Sequence, residues 1–329
     1  MDKTHIVRVH HPSGQLYEAW CDFVRNHPDG TFFQSDAVFR HADTWPEAEA
    51  VLLLLIDSSH KLHGSLLAIV TGSKTKLLER FTRTTLVYGG PVLASRRRLQ
   101  EHMNLDALLK ALISEVKHRS ASIRFVNMLD WSDHQPVFNA NGFSWSDSDS
   151  LLLRLQNRGK AWDALSEECR QHISSSINNG AVTFNRVSSQ QLRDFYALLH
   201  RTSSKRARRA LPPLAFFEAL AEEWEGFFVL VAYHGQIVGG VVCPVVEGRL
   251  VQAWLVAGMD RELGRQGVYP GLLALWTAME QAMKHKVPYM SVLDRAVLLP
   301  GGITGIQQLL GGDRLNHGRF VRRNLWRLQ

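Results

Sequence analysis

Three groups of residues have types and spacings suited to moving a proton or holding a phosphate. The first is Asp294, directly after the apolar run Tyr289–Leu293. A carboxylate at a strand exit can take a proton or orient an amine, and it can equally close a turn by pairing with Arg295. The second is the basic run Lys205-Arg206-Ala207-Arg208-Arg209. Fixed positive charge with bidentate donors, Arg206 above all, suits a phosphate, and the same run suits solvated surface. The third is Arg261-Glu-Leu-Gly264-Arg265-Gln-Gly267, between an apolar strand and the helix-forming run that begins at Tyr269. Glycines, arginines and a helix N-terminus together make an anion site, and a flexible connector has the same composition. Trp254 and Tyr269 flank this segment, where they line a cleft or simply fill core.

Composition narrows the partners. The chain has 329 residues and a formal charge of +7, which fits a phosphate-bearing partner: tRNA, coenzyme A, a nucleotide-linked sugar or an anionic membrane surface. Its 45% hydrophobic and 21% charged residues are those of a globular protein with a large core. Cys21, Cys169 and Cys243 stand far apart with no CxxC or Cys/His spacing, so neither a disulfide framework nor a zinc site is expected. The histidines form no HExxH pattern, and no metal is expected. The longest apolar runs, Val51–Ile56 and Phe227–Tyr233, are too short to span a bilayer, and the N-terminus has no apolar leader. A cytoplasmic location is the resulting expectation.

The elements that must position these residues follow from hydrophobic period and breakers. The first half reads as a strand at 6–9, helices at 16–25 and after Gln34, a hairpin of strands at 51–56 and 64–70, a strand at 86–88, a helix over 99–119 and a strand at 123–128. A short helix at 134–140 and a strand at 150–155 close it. After Gln156-Asn-Arg-Gly-Lys160 the order recurs: a helix over 162–178, a strand at 182–187, a helix capped by Ser188 and another after Pro212-Pro213. Strands follow at 227–233, 237–246 and 250–256, then a long helix over 269–285 and a strand at 289–293. Each half is an antiparallel meander, a long helix and one further strand, the order of GNAT-type acetyltransferases. The inserted helix implies one parallel strand pair at the sheet centre, where a cleft opens. The division expected is 1–155 and 156–329, in an α/β fold of two tandem domains.

Several motifs together resemble the FemAB family, which attaches amino acids to peptidoglycan precursors. Leu151-Leu-Leu-Arg-Leu155 with Trp162, Leu165, Arg170, Ile173 and Gly180 is similar to that family's apolar strand and R-x-x-I helix. Val231-Ala-Tyr-His-Gly-Gln-Ile-Val-Gly-Gly240 looks like its hairpin, and Pro270-Gly-Leu-Leu-Ala-Leu-Trp276 like its P-x-x-L-L-x-W helix. Phe32-Phe-Gln34-Ser35 is similar to an F-x-Q-[ST] element, and Tyr88-Gly-Gly-Pro-Val92 to a G-P strand exit.

The resemblance implies mostly antiparallel GNAT-like sheets, with the acyl-transfer cleft in the second domain. It implies a diphosphate-gripping role for Lys205-Arg206, an acceptor-side role for Gln34 and Arg40, and a general-base or orienting role for Asp294. Arg261, Gly264, Arg265 and Gly267 stand where acetyltransferases place a pyrophosphate loop, although R-x-x-G-x-x-G departs from the usual Q/R-x-x-G-x-G/A. A second departure lies near the C-terminus. Aminoacyl-tRNA-using members carry a Phe-Lys pair after a glycine, and here Gly305-Ile-Gln-Gln-Leu-Leu310 stands in that place.

The activity implied is transfer of an acyl or aminoacyl group onto an amine of a cell-wall precursor, an amino acid or a small metabolite. The donor is acyl-CoA or aminoacyl-tRNA, and no cofactor is tightly bound. Two other readings stay open: an acetyl-CoA-dependent N-acetyltransferase of the same fold, and a relative without catalysis that binds RNA or another ligand.

Overall fold

The computed structural model describes residues 4–45, 48–72, 83–94, 97–203, 211–223, 226–246, 248–293 and 301–324. The chain divides into two compact units, Met1–Ser148 with His317–Gln329, and Asp149–Asn316.

The first unit opens with strand β1 (His5–Val9) and helix α1 (Gln15–Asn26), which buries Tyr17, Trp20 and Val24 at helical spacing. A short helix α2 (Asp36–His41) leads to the β2 (Glu49–Ile56) and β3 (Leu62–Thr71) hairpin. Both strands are continuous apolar runs because the sheet is covered on both faces. Their turn is built on Asp57, whose carboxylate accepts from the Ser59 and Lys61 amides and pairs with His63 Nε2 at 2.8 Å. These hydrogen bonds hold the Asp57 carboxyl well below the usual range, His63 contributing most.

Strand β4 (Thr84–Tyr88) and the short β5 (Val92–Leu93) precede helix α3 (Arg98–Val116), which buries Leu105, Leu108, Leu109, Leu112 and Val116 against the sheet. Then come β6 (Ser122–Val126), α4 (Gln135–Ala140) and β7 (Ser144–Ser146). The one parallel pair in this sheet is β4 with β6, in register from Thr84↔Ser122 to Tyr88↔Val126. It is zipped along its whole length.

The second unit starts at β8 (Asp149–Arg154), followed by α5 (Arg158–Asp163) and α6 (Glu167–Asn178). The single helix expected over 162–178 is broken here: Ser166 accepts from the Cys169 amide and starts a new helix. After β9 (Val182–Phe184), a reciprocal capping box between Ser188 and Gln191 opens α7 (Ser189–Thr202). Helix α8 (Leu214–Glu223), strands β10 (Phe227–Tyr233), β11 (Gln236–Cys243) and β12 (Val245–Val246) follow.

The run read as one strand at 250–256 is two, β13 (Leu250–Ala253) and β14 (Leu255–Gly258). A four-residue helix α9 (Asp260–Leu263) and helix α10 (Pro270–Lys284) lead to β15 (Tyr289–Leu293). Helix α10 is apolar on nearly every side, with Leu272 to Met279 all buried, because it lies within the core of this unit.

The C-terminal elements are helix α11 (Gly302–Leu310), β16 (Asp313–Asn316) and β17 (Arg319–Arg323). Two features depart from the expected 155/156 boundary. Strand β8 belongs with the second unit, since it pairs with β15 and β16. The last strand returns to the first unit, inserted between β6 and β7. Phe320 explains that return: it is fully buried, stacked on Phe138 at 3.6 Å and edge-on to Trp145.

Phe320→Ala is therefore expected to destabilise the first unit by roughly 3–5 kcal/mol, the usual cost of deleting a buried phenyl ring. Denaturant melting followed through the Trp145 environment tests this. A loss under about 1 kcal/mol would mean that β17 is not part of that core.

Candidate functional site

The second unit contains a strand that changes partners. Residues 250–253, as β13, pair in parallel with β15, from Leu250↔Tyr289 to Ala253↔Val292. Residues 255–258, as β14, pair with β11, from Val242↔Leu255 to Gly239↔Gly258, and with no other strand among the described residues. The five-stranded sheet β12-β13-β15-β8-β16 and the four-stranded sheet β14-β11-β10-β9 are thus joined through one continuous segment. Trp254 sits at the transfer point, its amide donating to Val242 O at 2.9 Å. Among the described residues β14 ends its sheet, so the half of its N–H and C=O groups that point away from β11 meet no described strand there. The indole is buried and packs on Phe216 and Phe217 of α8. Trp254 therefore wedges the fork.

The segment from β14 to α10 borders that fork. Arg261 and Arg265 are exposed on it. Gly267 has φ of +70°, and a Cβ there would lie 2.5 Å from Ser175 Oγ, so only glycine fits. Five of the N–H groups along this segment and the first turn of α10 are already engaged. Gly267 donates to Gly264 O, Val268 to Leu263 O, and Tyr269 to Ser176 Oγ at 2.8 Å. The first-turn amides of α10, Gly271 and Leu272, donate to the Asp260 carboxylate at 2.9 and 3.2 Å. From α6, Ser175 and Asn179 donate to the carbonyls of Gly267 and Gln266 and fix the loop from outside. Tyr269 stacks on His172 at 3.7 Å. The fit is close enough that a Cβ on Gly258 would lie 2.1 Å from Asp260 Oδ2 and 2.4 Å from Gly271 N.

Other expected site residues are placed differently. Gln34 is fully buried in the first unit, where its amide donates to Leu67 O and Tyr88 O and accepts from Leu67 N, at 2.9, 2.7 and 2.8 Å. It completes the hydrogen bonding where β4 leaves β3, so its amide is engaged in structure and not offered to an acceptor. Arg40 pairs with Asp36 one helical turn away, at 2.9 Å. Asp294, Lys205 and Arg206 lie outside the described residues. Of the candidates, Trp254 lies at the strand transfer point and packs on Phe216 and Phe217, whereas Tyr269 adjoins the 261–267 loop and packs on His172; among the described residues no contact brings the two together.

Asp260 was not among the expected residues, and its only sequence signal is an acid four positions ahead of Gly264. Burial pushes Cys169 up to about 12 and Cys243 higher, so neither thiol is a ready nucleophile. Among the described residues no cluster of three or more His, Cys, Asp or Glu is placed to hold a metal, and no helix is long and apolar enough to cross a membrane. A cavity of about 280 Å³ lies between β8, α5 and α11, lined by Leu153, Ala161, Leu310 and Asp313. None of its lining residues belongs to β13, β14 or the loop, so it is separate from the fork.

Asp260 gives the site a pH signature. Burial raises its carboxyl to about 6, outweighing the two amide donors that pull it down. The native state therefore holds a proton that the unfolded chain releases near 3.9. The resulting stabilisation is complete below about pH 4 and is lost as pH rises through about 6, on the order of 2–3 kcal/mol in total. Asp260→Asn is expected to flatten unfolding free energy between pH 4 and 6, whereas Asp260→Ala, which orphans two amides, costs about 1–2 kcal/mol. An unchanged pH slope in Asp260→Asn would remove this carboxyl as its source.

Known proteins match this architecture. The acetyltransferase (GNAT) domain family matches residues 166–296, which lie within the second unit. FemX superposes with a TM-score of 0.65 at 11% identity, over 96% of this chain and 97% of its own. A tandem GNAT protein from the clavulanic acid biosynthesis pathway, solved without AcCoA, superposes with a TM-score of 0.63 at 11% identity, covering 99% and 100%. A GCN5-related N-acetyltransferase from Sphaerobacter thermophilus gives 0.51 at 12% identity, covering 97% and 96%. No curated protein sequence matches the chain. Residues 166–296 are thus similar to the acetyltransferase (GNAT) domain family, and the chain has, over its whole length, the fold of FemX and of the tandem GNAT protein.

Proposed function

We propose that the second unit is an N-acyltransferase that moves an acyl or aminoacyl group from a thioester or ester donor onto an amine. The fork at Trp254 carries this reading. Acyl transfer requires an activated carbonyl about 3 Å from a neutral amine, and donors for the oxyanion that forms between them. The edge of β14 that faces away from β11, which no described strand covers, supplies backbone N–H groups in fixed positions, which suits a carbonyl oxygen acquiring charge. The acceptor is an amine of a cell-wall precursor, an amino acid or a small metabolite. An α-amino group has a pKa of about 8, so a useful fraction is neutral near pH 7 without a strong base.

The engaged loop amides add a specification. A coenzyme A diphosphate on α10 would have to displace the Asp260 carboxylate from Gly271 and Leu272, and a second anion beside it is unfavourable in a buried setting. The donor is therefore held by its acyl end along β14, with its phosphates, where it has them, bound elsewhere.

Purified protein offered labelled acetyl-CoA, acetyl-pantetheine and a charged tRNA, with a mixture of amines, tests both points. Label is expected to reach an amine from at least one donor, and acetyl-pantetheine is expected to serve within about tenfold of acetyl-CoA if thioesters are used. Absence of transfer from all three would end the acyltransferase reading. A preference for acetyl-CoA of a hundredfold or more would show that the diphosphate is gripped after all.

A further inference from the structure

The foot of the fork holds polar atoms with nothing to bond. Gln252 Oε1 and Nε2 and Ser291 Oγ are all buried without a hydrogen-bond partner. Gln252 is wholly inaccessible and Ser291 is 4% exposed. The two residues stand directly opposite each other in the β13–β15 ladder. Their neighbours Val251, Ala253, Met290 and Val292 belong to the core that includes α10. Strand alternation therefore turns Gln252 and Ser291 to the opposite face of the sheet, side by side. Each buried polar group left without a partner costs about 1–3 kcal/mol, and an apolar pair at this position would avoid that cost. Three such atoms at one spot of an otherwise apolar strand pair mark a place where a ligand completes the bonding.

We propose that Gln252 and Ser291 bind an uncharged carboxamide of a substrate at the foot of the fork. This rests on the acyl-transfer reading only for what the substrate is, not for the existence of the site. A carboxamide offers a C=O to Gln252 Nε2 and an N–H to Gln252 Oε1, while the Ser291 hydroxyl serves either need. A charged group is disfavoured, because the other residues on this face of the two strands, Leu250, Tyr289 and Leu293, provide no countercharge. The carboxamide has two chemical sources: the pantetheine arm of a thioester donor, or an acceptor that carries an amide beside its amine. Trp254, two residues past Gln252, would then stand between this contact and the edge of β14 that faces away from β11.

The test uses the full chain with three probes: L-alaninamide, L-alanine methyl ester and pantetheine. Binding is followed by the side-chain NH2 resonance of Gln252, assigned by its absence in Gln252→Leu. If the acceptor is the source, alaninamide shifts that resonance and binds about tenfold more tightly than the ester, which lacks the N–H. If the donor is the source, pantetheine does so. Gln252→Leu and Ser291→Ala should weaken that probe by about fivefold to tenfold while leaving the melting temperature of the free protein unchanged or higher, since neither removes an existing hydrogen bond. No response to either amide, equal binding in Gln252→Leu, or a lowered melting temperature in both variants would each overturn the proposal. Carboxamide binding that depends on Gln252 in a protein without acyl transfer would retain this site and discard the reaction. Transfer with binding indifferent to Gln252 would do the opposite.

Discussion

One hydrogen bond decides the character of the second unit: the Trp254 amide to the Val242 carbonyl. It is made at the point where a strand that has been pairing with β15 begins to pair with β11. A parallel ladder that continued past Ala253 would pair Trp254 with Leu293, and it does not: the ladder ends at Ala253↔Val292, and among the described residues β11 is the one ladder partner of 255–258. The indole packs on Phe216 and Phe217 at the point of change. The loop, α9 and α10 then fold back beside the fork.

The two units show what the same arrangement looks like with and without this change. Among the described residues each has one parallel pair linked by a long helix, α3 in one and α10 in the other. In the first unit the pair runs unbroken from Thr84 to Tyr88, and the gap opens instead on the β3 side. There Gln34 fills it, its amide standing in for the missing strand on both Leu67 and Tyr88. A side chain that saturates a sheet gap stabilises it and at the same time leaves it no capacity for a ligand. Duplicated topology has thus given one closed sheet and one forked sheet.

Elements with strong periodicity were legible in the sequence. The strands at 227–233 and 289–293, the long helices and the capping box at Ser188 come from local patterns that tertiary contacts reinforce. The fork itself was not. Leu250 to Gly258 is apolar throughout except at Gln252, and a continuous apolar run carries no mark of a change of partner. The break at Ser166 was visible only as a potential N-cap inside an otherwise helical stretch. The return of β17 to the first unit was hidden because Arg319-Phe-Val-Arg-Arg323 carries three arginines, and only Phe320 supplies the buried contact. Among the candidates, Trp254 was singled out because it alternates out of the apolar run that precedes the glycine-containing loop, a position that core aromatics share. That the Gln34 amide bonds backbone was not legible, since a buried glutamine has the same letter whether it bonds a ligand or its own chain.

Asp260 and Gln252 are opposite solutions to one constraint. Buried polar groups must be satisfied, by the protein or by something it binds. At the start of α10 the protein satisfies itself: a carboxylate lies where a phosphate would, at the positive end of the helix, and Gly258 is kept free of a Cβ to let it in. At the foot of the fork it does not, and Gln252 and Ser291 remain open among apolar neighbours. Selection for stability alone would close both. Under the proposed reading, a fold that closes the anion position and leaves the neutral one open would distinguish substrates by uncharged polar groups near the reacting carbonyl, with charge recognised away from β14.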